Sequence, residues 1–125
     1  MKHLKSISIT AIVFVLLSFV KVEDNTKYMV GKWEMVKMIT PNKKEMDVRQ
    51  VLGASYMTFN ADFTYEESGS STTKGTWQIA DKDYLQTKKD GQANFSEKMK
   101  IKQVSADEAH IESPSKTVMV LKREK

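Results

Sequence analysis

The sequence predicts an all-β fold: an up-and-down antiparallel β-barrel of about eight strands, with a short helix or helical loop after the first strand. Three observations predict it. Short alternating apolar/polar runs begin at Gly31-Lys32-Trp33 and continue to Leu121. Turn-forming residues cut these runs at close intervals. The runs are also too many for an open sheet, whose free edges invite pairing with other chains, whereas closure removes the edges. An open sandwich of two sheets is the alternative arrangement.

The chain opens on a different pattern. Lys2, His3 and Lys5 precede an uncharged apolar stretch, Ile7 to Val20, of 14 residues. A membrane-spanning helix needs roughly 20. A secretory leader needs a basic start and an apolar core of about 7–15. Residues 1–20 are therefore expected to be a signal peptide, with an uncleaved anchor as the alternative. Residues 21–30 are expected to be a linker and 31–123 the barrel. The folded part is then periplasmic or secreted, with no stable membrane span after cleavage.

The barrel elements follow in order. Runs are expected at Lys32–Ile39, Ser55–Phe59, Phe63–Glu67, Thr73–Ile79, Tyr84–Lys88, Phe95–Val104, Glu108–Glu112 and Thr117–Lys122. Trp77 and Ile79 share a face opposite Lys74, Thr76 and Gln78, and Lys98, Lys100 and Lys102 face away from Met99 and Ile101. A period of two marks a strand with one wet and one buried side. Val104 breaks phase, which places a bulge near Gln103. Asn60-Ala61-Asp62, Ser68 to Ser71, Asp81-Lys82-Asp83, Lys89 to Asn94, Ser105 to Asp107 and Ser113-Pro114-Ser115 are the turns, built from residues that tolerate turn dihedrals. Between the first two runs, Val48, Val51 and Leu52 have helical spacing and Gly53 is placed to end a helix. An extended loop or another strand is the alternative there.

Composition narrows the function. The chain has no cysteine, which excludes disulfides, thiolate metal sites and cysteine nucleophiles. Its net charge of +4 arises largely from the leader; beyond residue 22 there remain 17 basic and 16 acidic residues. A nucleic-acid footprint needs a clustered basic face, so no nucleic-acid partner is expected.

These residues reach a family. Gly31-Lys32-Trp33-Glu34 resembles the Gly-x-Trp signature of lipocalins. Phe59-Asn60-Ala61-Asp62-Phe63-Thr64-Tyr65, followed by Gly75-Thr76-Trp77, resembles the small lipocalin-like domains of exported bacterial proteins. The resemblance covers roughly Tyr28 to Arg123. The chain is shorter than a typical secreted lipocalin and lacks the usual cysteines. The resemblance implies that a basic residue at the end of the last strand covers the first-strand Trp. Met119, Leu121 and Arg123 share parity, so Arg123 over Trp33 is the expected structural plug.

Chemistry is sparse. His110 is the one histidine beyond the leader, and no sharp turn presents a serine nucleophile to it. No metal site and no cofactor are expected, and the protein is read as a non-enzyme. Asp81, Asp83, Glu66 and Glu67 are read as solvated turn acids. The expected inward set is Trp33, Met35, Met57, Phe59, Phe63, Tyr65, Trp77, Ile79, Leu85, Phe95, Met99, Ile101, Ile111, Met119 and Leu121. An eight-stranded barrel is just wide enough to be filled by side chains or to hold one small ligand. Two readings follow. In the first, a monomer holds a small apolar or amphipathic molecule against Met57, Tyr65, Trp77 and Met99, with Gln103 orienting it. Thr73 and Thr87 are further inward polar groups. In the second, the barrel is filled and its outer face or loops contact another protein.

Overall fold

The computed structural model describes residues 25–125. The expected leader and the first part of the expected linker lie outside the described residues. In chain order the elements are α1 (Thr26–Met29), β1 (Gly31–Ile39), β2 (Glu45–Asp47), α2 (Val48–Leu52), β3 (Tyr56–Phe59), β4 (Thr64–Ser68), β5 (Thr72–Ala80), β6 (Tyr84–Lys89), β7 (Met99–Gln103), β8 (Glu108–Glu112) and β9 (Val118–Arg123).

All pairings are antiparallel, and β1 returns to β9, so β1 and β3–β9 close into an eight-stranded barrel. β2 is a spur. It pairs with the far half of β1, Lys37↔Asp47 to Ile39↔Glu45, beyond the stretch Gly31↔Phe59 to Glu34↔Tyr56 where β1 pairs β3. The short helix after the first strand is α2, reached through β2 and started by Asp47, whose carboxylate accepts the Gln50 N–H at 3.2 Å. The register shift lies in β1, between Met35 and Lys37; β7 simply ends at Gln103, and Val104 is exposed in the following turn.

Two aromatic residues depart from the expected inward set. Phe63 is 46% exposed. It sits in the turn after β3 with φ +67°, so the strand alternation never reaches it; its ring instead lies 5.3 Å from that of Trp77. Phe95 is half-buried and precedes β7, which starts only at Met99. There the Ser96 hydroxyl accepts the Thr87 N–H at 3.1 Å, and the Ser96 N–H donates to the Thr87 carbonyl at 2.8 Å. A side-chain bond thus takes the place of a regular ladder. The other thirteen behave as expected: Trp33, Met57, Phe59, Tyr65, Trp77, Leu85, Ile101, Ile111 and Leu121 are buried, and Met35, Ile79, Met99 and Met119 pack against them.

One end of the barrel, the base, is sealed by a segment expected to be linker. Residues 25–30 form α1 and its flanks. Met29 is fully buried. The Asn25 side-chain amide donates to the Lys82 carbonyl at 2.9 Å and to Asp83 Oδ1 at 3.0 Å. The Tyr28 hydroxyl lies 2.7 Å from the Ser105 carbonyl and 2.8 Å from that of Glu108. The turn after β5 and the turn after β7 are thereby fastened to the same helical turn.

Trp33 and Arg123 complete the seal. The Trp33 indole N–H donates to the Met29 carbonyl at 2.9 Å. The Arg123 guanidinium lies 4.1 Å from the Trp33 ring centroid and donates to the carbonyls of Val30 at 2.8 Å, Tyr28 at 2.7 Å and Ala106 at 3.1 Å. Gly31, with φ +132°, makes room: a Cβ there would stand 2.8 Å from Arg123 Nη1. A cation over an indole contributes about 0.5–2 kcal/mol, and hydrogen bonds from a charged donor about 1.5–3 kcal/mol each. Arg123→Met is expected to lower the urea-unfolding free energy by about 2–4 kcal/mol once partial exposure is allowed for. Arg123→Lys should recover little of it, because an ammonium cannot reproduce the planar fork.

Candidate functional site

Residues directly opposite in a ladder share a face, so the register traces what lines the barrel. One inward row runs Trp33↔Met57↔Glu67↔Thr73. The next runs Phe59↔Tyr65↔Gly75↔Lys89. Both start at the base with apolar residues and end with polar ones at the opposite end, the mouth, as the tilt of barrel strands requires. A third row, Ile101↔Ile111↔Met119↔Met38↔Met46, brings three methionines to the far side of that mouth.

The polar ends of the first two rows meet. Lys89 Nζ lies 3.4 Å from Glu67 Oε2. Glu67 is 29% and Lys89 47% exposed, so the carboxylate is partly sheltered at the rim while the ammonium reaches solvent. Gly75 explains how Lys89 gets there. A Cβ on Gly75 would stand 2.1 Å from the Lys88 carbonyl oxygen; without one, β6 approaches β5 closely at this point. Beneath the pair is Tyr65, 2% exposed. Burial pushes its phenol well above its ordinary value, and the charge of Glu67 and the hydrogen bond to it push the same way. Thr87, inward beside Trp77, is also buried.

An opening of about 230 Å³ leads in beside this pair. It is lined by Met35, Leu52, Ser55, Glu67, Thr73 and the loop Ser68–Ser71. Helix α2 forms one wall. Arg49 anchors it to β1 through the Glu34 carboxylate, donating from Nη2 to Oε1 at 2.7 Å and to Oε2 at 2.5 Å and from Nε to Oε2 at 3.0 Å, while Val51 and Leu52 stand 61% and 57% exposed at the rim. A larger depression, about 430 Å³, lies on the outside of β4 and β5 among Thr64, Glu66, Lys74 and Thr76. Another, about 290 Å³, lies at β7–β9 among Lys100, Lys102, His110 and Glu112. Size does not favour the mouth. What distinguishes it is a carboxylate, Glu67, set among hydroxyls and two apolar side chains, with Lys89 paired to that carboxylate from beside the opening.

The expected ligand wall is differently placed. Met57, Tyr65 and Trp77 are buried core residues, and the Trp77 indole donates to the Asn60 carbonyl at 2.9 Å. Met99 is half-buried. Gln103 is exposed at the base, where its amide donates to Asn25; it closes that end and does not orient anything at the mouth. His110 lies on the outer face with its ring 3.0 Å from the Glu108 carboxylate. Glu67 and Lys89 are absent from the expected inward set. A signal for them exists: Glu67 is two residues from Tyr65, and Lys89 two from Thr87 and four from Leu85.

Two outcomes test this geometry. Gly75→Ala should force β6 off β5, lose about 1–3 kcal/mol as an overpacked position does, and uncouple Lys89 from Glu67; urea titration reads the first effect, and the NMR shifts of the Lys89 side chain the second. Tyr65 gives a pH effect. Its phenol is raised above the unfolded value, so the folded state holds the proton longer. The stabilisation is complete below about pH 10 and is lost as pH rises beyond it. Tyr28 is raised too, by burial first and against the opposing charge of Arg123. Tyr65→Phe should therefore flatten only part of the alkaline fall in melting temperature.

Residues 29–108 match a family model described as a lipocalin-like domain. Among solved structures, a lipocalin-like protein from Bacteroides uniformis ATCC 8492 superposes with a TM-score of 0.63 at 10% identity, covering 78% of this chain and 99% of that one. An uncharacterized protein from Bacteroides eggerthii DSM 20697 gives 0.60 at 16% identity over 77% and 99%. A protein from Burkholderia xenovorans gives 0.58 at 8% over 81% and 87%. At such identities these likenesses show the fold. No curated protein matches the chain. The family model spans well over half of the sequence, and on that match the chain belongs to the lipocalin-like domain family.

Proposed function

We propose that this protein holds a small amphipathic molecule at the barrel mouth, without transforming it, in the periplasm or outside the cell. The observation that carries the reading is the inward Glu67–Lys89 pair beside an opening walled by Met35 and Leu52. Partly sheltering the Glu67 carboxylate costs some of its hydration, and a recess in which a few polar groups converge beside apolar side chains suits a small molecule. Methionines suit it because their flexible thioethers repack around different shapes. The ligand sits in the upper barrel only: Trp33, Phe59, Trp77, Leu85 and Leu121 fill the lower half. The extracytoplasmic placement rests on the basic and apolar pattern of residues 1–20. Among the described residues no helix is long and apolar enough to cross a membrane. The non-catalytic reading rests on His110 being engaged with Glu108 on the outer face, away from the mouth.

The filled lower barrel favours a second reading, a scaffold whose surface contacts another protein. A lipophilic fluorescent probe separates the two. The mouth reading expects probe emission to rise on addition of protein and Met35→Trp, which fills the recess, to abolish the rise while circular dichroism stays unchanged. A wild-type protein that leaves the probe dark, and carries no small molecule in native mass spectrometry, is a scaffold.

A further inference from the structure

We propose that the mouth selects an amphipathic amine: a short apolar body carrying a protonated ammonium that binds the Glu67 carboxylate alongside Lys89. The inference rests on the mouth-binding reading above and names the class of ligand it takes. Four observations support it.

First, Glu67 is the one charged side chain, among the described residues, that lines the opening; its companions are hydroxyls, a glycine and the apolar Met35 and Leu52. A cation entering the recess meets a carboxylate, and an anion meets the same charge as its own. Second, Lys89 holds Glu67 without saturating it. Their separation of 3.4 Å is longer than the roughly 2.7–2.9 Å of a tight charge-assisted bond, and a carboxylate offers about four acceptor sites. A carboxylate-headed ligand would have to pull Lys89 from Glu67 and leave that carboxylate with only the Tyr65 hydroxyl as partner. An ammonium adds to the pair and breaks nothing.

Third, the hydroxyls of Ser68, Ser70, Ser71 and Thr73 make no side-chain hydrogen bond among the described residues. An ammonium has three N–H donors, so one to Glu67 leaves two for this loop. Ser55 is different, its hydroxyl already donating to the Gly53 carbonyl at 3.2 Å. Fourth, the opening, of about 230 Å³, has room for a short apolar body lying between Met35 and Leu52 with its head at Glu67.

Titration of the ¹⁵N-labelled protein at pH 7 with octylamine, octanoate and octanol tests the class by NMR. The expected result is that octylamine shifts the amides of Glu67, Ser70 and Thr73 and binds at least tenfold more tightly than octanoate. Glu67→Gln should erase that margin while octanol binding persists, which shows the recess intact. Lys89→Met, which removes the competing cation, should tighten octylamine severalfold; this variant carries the test if Glu67→Gln does not fold. Octanoate binding as tightly as octylamine, or a margin indifferent to Glu67, overturns the amine preference and leaves the mouth-binding reading standing. Failure of all three probes to perturb the mouth overturns both.

Discussion

The floor of the barrel depends on one side chain. Arg123 touches three elements at once: it covers the indole on β1, binds the carbonyls of α1's flank and ends β9. The β1–β9 ladder alone would close the sheet into a tube. The guanidinium turns that tube into a vessel with a floor, because it holds α1 across the base. Its donors are suited to this role, since a rigid planar fork reaches several carbonyls while its face lies on a ring. Gly31 is the matching concession in the backbone, where any Cβ would displace the fork.

With the base fixed, the tilt of the strands sorts the interior. The rows that begin at Trp33 and Phe59 end at Thr73 and Lys89, and the row that begins at Ile101 ends on methionines. Polar groups that would be costly in the lower barrel are tolerable near the rim, where water still reaches them. The same gradient leaves the lower barrel filled by side chains and the polar groups near the rim. Gly75 has a counterpart role to Gly31: one admits a side chain at the floor, the other admits a neighbouring strand at the mouth and so sets where Lys89 emerges.

Much of this is legible in the sequence. Alternation marks the strands from Gly31 to Leu121, and the lipocalin resemblance, with the shared parity of Met119, Leu121 and Arg123, implies the guanidinium over Trp33. The failures have physical causes. Phe63 reads as the first residue of a strand, but the turn holds it at positive φ and outside the ladder. Phe95 reads as the start of β7, but Ser96 supplies a side-chain partner to β6 in place of a ladder. The short α1 is invisible because four residues carry no periodicity. Glu67 and Lys89 escape for a different reason. Charge argues for solvent, parity argues for the interior, and only closure of the barrel makes an interior rim in which both hold. Gln103 has inward parity but lies at the base, a distinction that register supplies and single-strand phase does not.

The β1–β9 seam also bears on how the chain folds. The Val30 carbonyl and the Arg123 guanidinium that binds it are 93 residues apart in sequence. Every other ladder of the barrel joins strands adjacent in the order of synthesis or separated only by the β2 spur and α2. Those ladders can form as the chain lengthens, whereas the seam must wait for the ninth strand and pay the entropy of closing the largest loop in the fold. Until then β1 exposes a bare hydrogen-bonding edge and Trp33 lacks its cover. The domain therefore acquires its floor and its last ladder in one late event. A chain interrupted before Val118 has strands and hairpins but no closing ladder, and such a precursor stays open for as long as its final strand is withheld.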